Sequence, residues 1–298
     1  MDTITGPSPA LPRIVADPAE VRAILADPGY RVPDPGRGAP EGTMAWLRQN
    51  VARLSNGADH ERRRELAEDL LRRLDLAALR AGARDATNAA IDSAGRRPFD
   101  AMTLVARRVP VMVLAAALDV ADPERATGPL AAVAAAFLPG SVDRGTADGS
   151  VARLAEMLPS GPDEQVAARI GLLVQTYEAT AGLIGNTVAA GMRAAAPRST
   201  ADLVTETLRS NPPVRFTRRV TPSGETIALD LTSARDDPAG NLAFGSGPRA
   251  CPGAAHARAL AEGAAEPLLR RCRWTSAEIS YSEPPALHVP VCLELAER

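Results

Sequence analysis

The sequence contains no lysine, and the positive charge of its 298 residues comes from 34 arginines. Because 36 acidic residues oppose them, the formal net charge is −2. A chain so close to neutral lacks the basic surplus that general nucleic-acid binding requires. Its 45% of apolar residues is too high for a disordered chain. We therefore expect a single domain over residues 1–298 with a sizeable core and no nucleic-acid partner.

Long hydrophobic runs are also missing, and none approaches the roughly 20 residues that a membrane-spanning helix needs. The first residues have neither the basic nor the apolar segment of an export signal. We therefore expect a cytoplasmic protein without a membrane partner. The three cysteines and three histidines have no regular spacing, so they indicate neither a disulfide framework nor a zinc motif.

Hydrophobic periodicity predicts a mainly α fold with small β-sheets. Helices are expected at 18–25, 59–74, 99–118, 164–195 and 200–210, with Pro110 kinking the third of them. Strands are expected at 214–221 and 226–231 and within 279–295. The alanine-rich stretch 129–158 is expected to be broken at 139–140 and again at 145–149, where glycines occur.

A glycine-rich loop, LAFGSGPRACPG at 242–253, carries one thiol and precedes a helical pattern. Gly245, Gly247 and Gly253 permit turns that other residues resist. Cys251 then lies just before a helix N-terminus, where backbone N–H groups and the helix dipole favour the thiolate. Such a thiolate is either a nucleophile or a metal ligand. A nucleophile needs a nearby base, which the sequence alone does not locate.

The run FGSGPRACPG, which ends at Gly253, resembles the haem-ligand loop of cytochromes P450 at every position of that family's pattern. The resemblance implies haem b with Cys251 as the axial thiolate on iron, a ligation that favours O–O cleavage. It also implies that Phe244 shields the sulfur and that Arg249 binds a haem propionate. Gly245 belongs to the same cofactor-binding loop. The alternative is an ordinary glycine loop with a buried cysteine.

Other cofactor-binding residues follow from the same resemblance. His60 and Arg64 lie four residues apart in a charged helical pattern, so they share one face. The family places a histidine and an arginine with this spacing at the haem propionates. Arg219 matches a further propionate-binding arginine, with Arg218 as a rival. For each of these residues the alternative is an ordinary charge on a solvated surface.

A Glu-x-x-Arg motif, Glu206 to Arg209, occurs in the order that the family requires. Residues three apart on a helix can pair. The resemblance implies that this pair is structural and locks the core around the cysteine loop. The family's pair has a third charged member, for which Arg235 is only a weak substitute.

The helix expected at 164–195 corresponds to the family's distal helix, but it departs from that pattern. Glu178 keeps the acid, whereas Ala179 replaces the neighbouring alcohol and Thr180 lies one residue further round the helix. In the family the acid and the alcohol deliver protons to dioxygen. These three residues are therefore the candidate catalytic positions, with water or a substrate hydroxyl substituting for the missing alcohol. Gln175 adds bulk and polarity nearby.

The chain is also short for the family, with a truncated lid and a truncated pre-cysteine region. The resemblance implies a monooxygenase that oxidises a small organic substrate in a biosynthetic role. Dioxygen and a ferredoxin and ferredoxin reductase-type electron donor would serve it, and a partner protein could complete the trimmed pocket. Three alternatives stay open: haem-thiolate chemistry without the oxygenase cycle (peroxide-dependent, dehydratase or isomerase), a non-catalytic haem or interaction module, and a haem-free helical protein with a reactive cysteine.

Overall fold

The structure is a computed structural model that describes residues 12–137, 144–276, 278–282 and 286–298. Within these ranges it contains ten α-helices and six short strands. The helices are α1 (Pro18–Ala26), α2 (Met44–Asn50), α3 (Gly57–Arg72), α4 (Leu76–Ala94), α5 (Val109–Ala117), α6 (Pro123–Ala136), α7 (Arg144–Glu156), α8 (Asp163–Arg193), α9 (Thr200–Ser210) and α10 (Ala254–Arg271). The strands are β1 (Arg13–Val15), β2 (Phe99–Asp100), β3 (Phe216–Val220), β4 (Thr226–Asp230), β5 (Cys272–Trp274) and β6 (Glu294–Glu297). The expectation of a mainly α fold with small sheets is confirmed.

Helix α8 is 31 residues long and runs through the main hydrophobic core, where α3, α5, α6, α9 and α10 pack against it. Asp163 and Glu164 lie in its first turn, where their negative charges stabilise the helix by interacting with the positive end of its dipole. Between residues 170 and 189, every position is buried except 175–179. We call this partly accessible stretch the α8 window. It contains Glu178 and Ala179.

The six strands form two three-stranded sheets, ordered β1-β4-β3 and β2-β6-β5. Strand β1 is parallel to β4, and β3 and β4 form an antiparallel hairpin. Apolar residues of α1 and of the first sheet make a second, smaller core that includes Val21, Ile24, Ile227 and Leu229. This sheet and α1 flank the segment that leads to the cysteine loop.

Four of the five expected helices are present, and their ends differ from the expected ones by at most two residues. The fifth, at 99–118, is instead β2, a π-helical turn (Met102–Ala106) and α5. Pro110 lies in the first turn of α5. Backbone N–H groups there have no acceptor within the helix, so a proline, which lacks the N–H, loses no hydrogen bond. The proline therefore begins a helix, and the predicted kink within one is wrong.

The predicted break at 145–149 is wrong, because α7 continues through both Gly145 and Gly149. Glycine inside a helix costs about 1 kcal/mol relative to alanine, which the packing of buried Ala147, Val151 and Leu154 can offset. The other predicted break, at 139–140, lies outside the described residues. Of the strands expected within 279–295, the described residues show isolated bridges and the start of β6. No described helix has the length and apolar character needed to cross a membrane.

Candidate functional site

The cysteine loop (residues 242–253) turns twice on glycine before it enters α10. Gly245 has φ +70° and Gly247 has φ +67°, values that side chains resist. The backbone N–H of Gly245 donates to the Leu242 oxygen at 2.8 Å, and that of Cys251 donates to the Phe244 oxygen at 2.8 Å. The loop therefore adopts a defined shape that presents Cys251 three residues before α10 begins.

Cys251 is an exposed residue, yet the protein around it crowds the sulfur. Desolvation by these surroundings raises the pKa of the thiol, whereas a backbone hydrogen bond from Gly253 and the positive charge of Arg64 act in the opposite direction. Cys251 lines an open recess of the protein together with Arg64, Leu71 and His256. Phe244 is half-buried and packs against the main core. This environment suits a thiol that acquires its charge only when it binds a cation.

Four of the residues expected to bind the cofactor come together, and we call them the cation cluster. The pKa of His60 is lowered to about 4, first by burial and then by the charges of Arg249, Arg64 and Arg219. Helix α3 contributes His60 and Arg64, β3 contributes Arg219, and the cysteine loop contributes Arg249. Residues far apart in sequence therefore share one electrostatic environment.

Two arginines of the cation cluster, Arg249 and Arg219, are held by neutral oxygens. Arg249 Nη2 donates to the Ser55 carbonyl oxygen at 2.6 Å and to Asn56 Oδ1 at 3.0 Å. Arg219 is only 5% exposed and donates to the oxygen of Arg218 and to Thr217 Oγ1. Burial, followed by the charge of Arg249, lowers the pKa of Arg219 to about 10.

Arg64 is the member of the cluster with an acidic partner. Its Nε donates to Glu68 Oε1, and its Nη1 donates to the Ala250 carbonyl oxygen in the cysteine loop. Arg218 is exposed while Arg219 is buried, because successive side chains of a strand point to opposite faces. Arg219 therefore faces inward, and its rival Arg218 faces solvent.

The cation cluster carries more positive than negative charge. Of the four charges that act on His60, three are positive, and Glu68 alone is negative. Desolvated cations are stable only with anionic or hydrogen-bonding partners. Two further carboxylates would balance the three guanidinium groups, and haem carries two propionates.

Two of the three candidate catalytic residues, Glu178 and Ala179, lie in the α8 window, and Glu178 is already paired there. Arg107 Nε donates to Glu178 Oε1 at 3.1 Å, and the Arg107 guanidinium also reaches the carbonyl oxygens of Pro290 and Val291. Ala179 is half-buried, whereas Thr180 is 2% exposed and lies outside the window. The nearest alcohol after Ala179 is therefore on a buried part of the helix.

The bulky residues expected near the oxygen position fold back onto their own helix. Gln175 Nε2 donates to the Gly171 carbonyl oxygen at 2.9 Å, and Thr176 Oγ1 donates to the Leu172 carbonyl oxygen at 2.9 Å. Such bonds to the preceding turn are ordinary for polar helical side chains. Both groups are thus occupied by backbone contacts.

The predicted ion pair between Glu206 and Arg209 is confirmed, with N···O distances of 2.7 and 3.0 Å. Its third member is Asp236, which accepts from Arg209 Nη1 at 2.5 Å. Arg235 instead donates to the Ser210 carbonyl oxygen, so its assignment as the third member is wrong. Asp236, the next residue in the chain, reaches the ion pair because the chain turns at this point.

Sequence reasoning missed two groups of this site. Arg107 carries no motif that would connect it to Glu178. Asn56 precedes α3 and could have been read as a helix cap, but it makes no capping bond. It bonds both backbone groups of Val32 and accepts from Arg249. Its role depends on residues distant in sequence.

No protein-family model and no curated protein sequence matches the chain. Solved structures do match. P450BioI, in complex with an acyl carrier protein ligated to hexadec-9Z-enoic acid, is 20% identical with a TM-score of 0.80, covering 96% of this chain and 92% of that chain. CxnD, a cytochrome P450 for C–S bond formation in chuangxinmycin biosynthesis, is 17% identical with a TM-score of 0.78 over 96% and 88% of the two chains. The myxobacterial CYP267B1 in complex with myristic acid is 20% identical with a TM-score of 0.78 over 96% and 90%.

The chain has the cytochrome P450 fold. With this fold, the residues of the site can be tested against haem. Within the described residues no cluster of three or more His, Cys, Asp or Glu side chains could hold an ion alone. A haem iron could instead be held by the protein through a single thiolate, which Cys251 would supply. The excess positive charge of the cation cluster suits two propionates. The residues present therefore fit haem.

Proposed function

We propose that this protein is a haem-thiolate oxidoreductase of the monooxygenase type. Cys251 would supply the thiolate that holds haem b, in a loop shaped by Gly245 and Gly253 and screened by Phe244. The propionates would be bound by the four residues of the cation cluster, namely His60, Arg64, Arg219 and Arg249.

The observation that carries the proposal is the assembly of the cation cluster beside the cysteine loop. The Arg64 guanidinium donates to the carbonyl oxygen of Ala250, the residue that precedes Cys251. The cluster and the thiol therefore belong to one site. A partly buried group of cations with one acidic partner supports a dianionic cofactor more strongly than it supports a solvated surface.

Bound haem with a thiolate ligand supplies the capacity to activate dioxygen, because the thiolate pushes electron density towards the iron. The chain's own residues would position the substrate and deliver protons. Arg107 fixes Glu178 at the α8 window, where the carboxylate can accept and pass on a proton through water. Ala179 leaves space for that water or for a substrate hydroxyl. Thr180 is a weaker candidate, since it is buried.

The substrate would be a small organic molecule, and the electrons would come from a ferredoxin and its reductase. The similar structures support organic substrates, because they are described with myristic acid, with an acyl carrier protein bearing hexadec-9Z-enoic acid, and with C–S bond formation in biosynthesis. A carrier protein or another partner that completes the pocket is compatible with the same proposal.

The first experiment is the carbon monoxide difference spectrum of the dithionite-reduced protein, compared with Cys251→Ser. We expect a strongly red-shifted Soret band in the wild type and its loss in the variant. Cys292→Ser is the matched control, because Cys292 is also accessible but lies outside the loop, and it should keep the band. A protein that binds no haem, or a band that survives in Cys251→Ser, would overturn the proposal.

A second experiment addresses the propionates. Arg249→Gln and Arg64→Gln should each speed haem loss to apomyoglobin by about 10-fold or more, since a charge-assisted hydrogen bond contributes about 1.5–3 kcal/mol. Arg125→Gln is the control, because this arginine of α6 is 79% exposed and forms an ion pair with Asp122 outside the cation cluster. Equal rates of haem loss in all three variants would contradict the role of the cluster.

Haem-thiolate chemistry driven by peroxide is the second candidate function. One observation favours it: a methyl group, Ala179, lies next to Glu178 where the family places an alcohol. Peroxide already carries the protons and electrons that dioxygen must gain. Turnover supported by hydrogen peroxide but not by dioxygen with reduced ferredoxin would favour this candidate, and the reverse would exclude it.

A further inference from the structure

Glu68 lies one helical turn after Arg64 on α3, and the two side chains form a salt bridge of 2.5 Å. Arg64 is 19% exposed and Glu68 is 41% exposed, so the pair is partly removed from water. The other ion-paired acids of this helix are Asp59 and Asp69, and both bind arginines outside the cation cluster. Within α3, Glu68 is therefore the acid that bonds to a member of the cluster.

The Arg64 guanidinium connects Glu68 to the cysteine loop. Its Nε donates to Glu68, and its Nη1 donates to the carbonyl oxygen of Ala250, the residue before Cys251. Its Nη2 makes no hydrogen bond with the residues that the structure describes, so both N–H groups of that nitrogen are available. A carboxylate can therefore bind at Nη2 without displacing Glu68.

The same pair lines an open recess of about 400 Å³. Helix α3 contributes Arg64 and Glu68 to this recess, and the cysteine loop and α10 contribute Cys251 and His256. His256 Nε2 donates to the Leu71 carbonyl oxygen at 2.9 Å, since a carbonyl oxygen can only accept. The bonds from Arg64 and His256 thus hold α3 against the segment that carries the thiol, and Glu68 lies between them along the helix.

A glutamate beside a cofactor-binding arginine has two possible roles: it competes with the cofactor, or it holds the arginine in place. The free Nη2 favours the second role, because Glu68 uses a different nitrogen of the guanidinium. An arginine side chain loses much rotamer freedom when it is fixed. Where Glu68 and Ala250 already fix it, an incoming carboxylate avoids most of that cost.

We propose that Glu68 is a positioning residue of the haem site, which holds Arg64 against the cysteine loop and leaves its Nη2 free for a propionate. Glu68 acts through Arg64 and makes no contact with the cofactor itself. This inference rests on the proposed haem-thiolate function.

The test measures haem loss from the ferric protein to apomyoglobin. Glu68→Ala, which preserves helix propensity, should speed haem loss by about 3- to 10-fold, because Arg64 regains its rotamer freedom. Glu68→Gln keeps an acceptor oxygen for Nε and should restore part of the retention. Glu65→Ala is the matched control, because Glu65 is an exposed acid of the same helix whose side chain bonds to no described residue. It should lose haem at the wild-type rate.

The effect of Glu68 must pass through Arg64. In an Arg64→Gln background, Glu68→Ala should therefore change the rate of haem loss by less than about 2-fold. Slower haem loss in Glu68→Ala would show that Glu68 competes with the propionate. An unchanged rate in Glu68→Ala, an equal increase in both backgrounds, or an equal increase in Glu65→Ala would show that Glu68 does not position Arg64. Each of these results would overturn the inference.

A measurement on haem-free protein separates this inference from the proposed function. The Nε–H of Arg64 should exchange slowly with water in NMR spectra, and Arg64→Lys assigns its signal. The signal should be lost in Glu68→Ala and kept in Glu65→Ala. A signal that persists in Glu68→Ala overturns the inference whether or not haem binds. A wild-type protein that binds no haem contradicts the proposed function, and the inference falls with it.

Discussion

Arg107 and Glu178 form a salt bridge of 3.1 Å that connects the turn before α5 to the centre of α8. Their side chains are 20% and 25% exposed, so both charges are partly removed from water. Arg107 also donates to the carbonyl oxygens of Pro290 and Val291 near the C-terminal end of the chain. One guanidinium therefore joins three segments, and the candidate proton donor is fixed by them.

This pair should contribute measurable coupling to stability. A double-mutant cycle with Arg107→Gln and Glu178→Gln is expected to give an interaction energy of about 1–2 kcal/mol, since partial burial limits screening by water. The neighbouring pair Arg108–Glu124 is the control, because its side chains are 38% and 68% exposed. That pair should give less than about 0.5 kcal/mol. Equal coupling energies from urea unfolding of both sets would contradict this interpretation.

The free energy of unfolding should depend on pH through His60 of the cation cluster. Burial and the neighbouring arginines lower the pKa of His60 from 6.5 to about 4 in the folded protein. Between these values the unfolded chain binds a proton that the folded chain does not, so the free energy of unfolding falls as the pH is lowered from 6.5 towards 4. Because His60 is only half-buried, we expect a loss of about 1–2 kcal/mol rather than the full shift.

The check is urea unfolding of haem-free wild type and His60→Gln across this pH range. The free energy of unfolding should fall less steeply with pH in the glutamine variant, since glutamine does not titrate. Haem should also reduce the decline, because its propionates would favour the charged imidazole. An unchanged decline in His60→Gln would show that other groups cause it.

The parts of the site that could be predicted are those that local chemistry determines. The glycines of the cysteine loop are needed for backbone angles that few other residues adopt, and their pattern therefore survives in the sequence. The spacing of His60 and Arg64 places them on one face of any helix. Both signals need only the residues themselves and their immediate neighbours.

The remaining features depend on tertiary contacts. Arg107 meets Glu178 across 71 positions of the chain, and no local pattern connects them. Helix α7 continues through two glycines because its apolar face is buried, which helix propensity cannot reveal.

The conformation of Gly247 should be essential to the cysteine loop. Its φ of +67° strains any other residue, and a Cβ there would lie 3.0 Å from the Leu25 carbonyl oxygen of α1. Gly247→Ala is therefore expected to lower the free energy of unfolding by about 2–4 kcal/mol, from backbone strain together with the clash. Haem retention should fall with it, because Arg249 and Cys251 follow in the same turn.

Gly240→Ala is the matched control for Gly247→Ala. Gly240 has φ +92°, but no atom lies within 4 Å of its added Cβ. It should show the backbone cost alone, about 1 kcal/mol, and keep its haem. If thermal unfolding and haem loss change equally in both variants, the contact with α1 has no effect of its own.

The crossing of α4 and α10 predicts a larger effect at a second glycine. A Cβ at Gly263 would lie 2.2 Å from the Arg80 carbonyl oxygen and 3.0 Å from the Cβ of Ala83. A backbone oxygen cannot rotate away, so Gly263→Ala must push the two helices apart. Since α10 begins directly after the cysteine loop, this movement would reach Cys251 as well. We expect a loss of about 3 kcal/mol or more from overpacking and a weaker Soret band.

Gly149→Ala in α7 should change the free energy of unfolding in the opposite direction. No atom lies within 4 Å of its added Cβ, and its φ is not positive. Alanine there should raise the free energy of unfolding by about 0.5–1 kcal/mol, because it reduces the freedom of the unfolded chain. Urea unfolding of the two alanine variants would therefore move the midpoint in opposite directions. A shift of the same sign in both would mean that helix propensity, and not the close approach of α4 to α10, decides the outcome at Gly263.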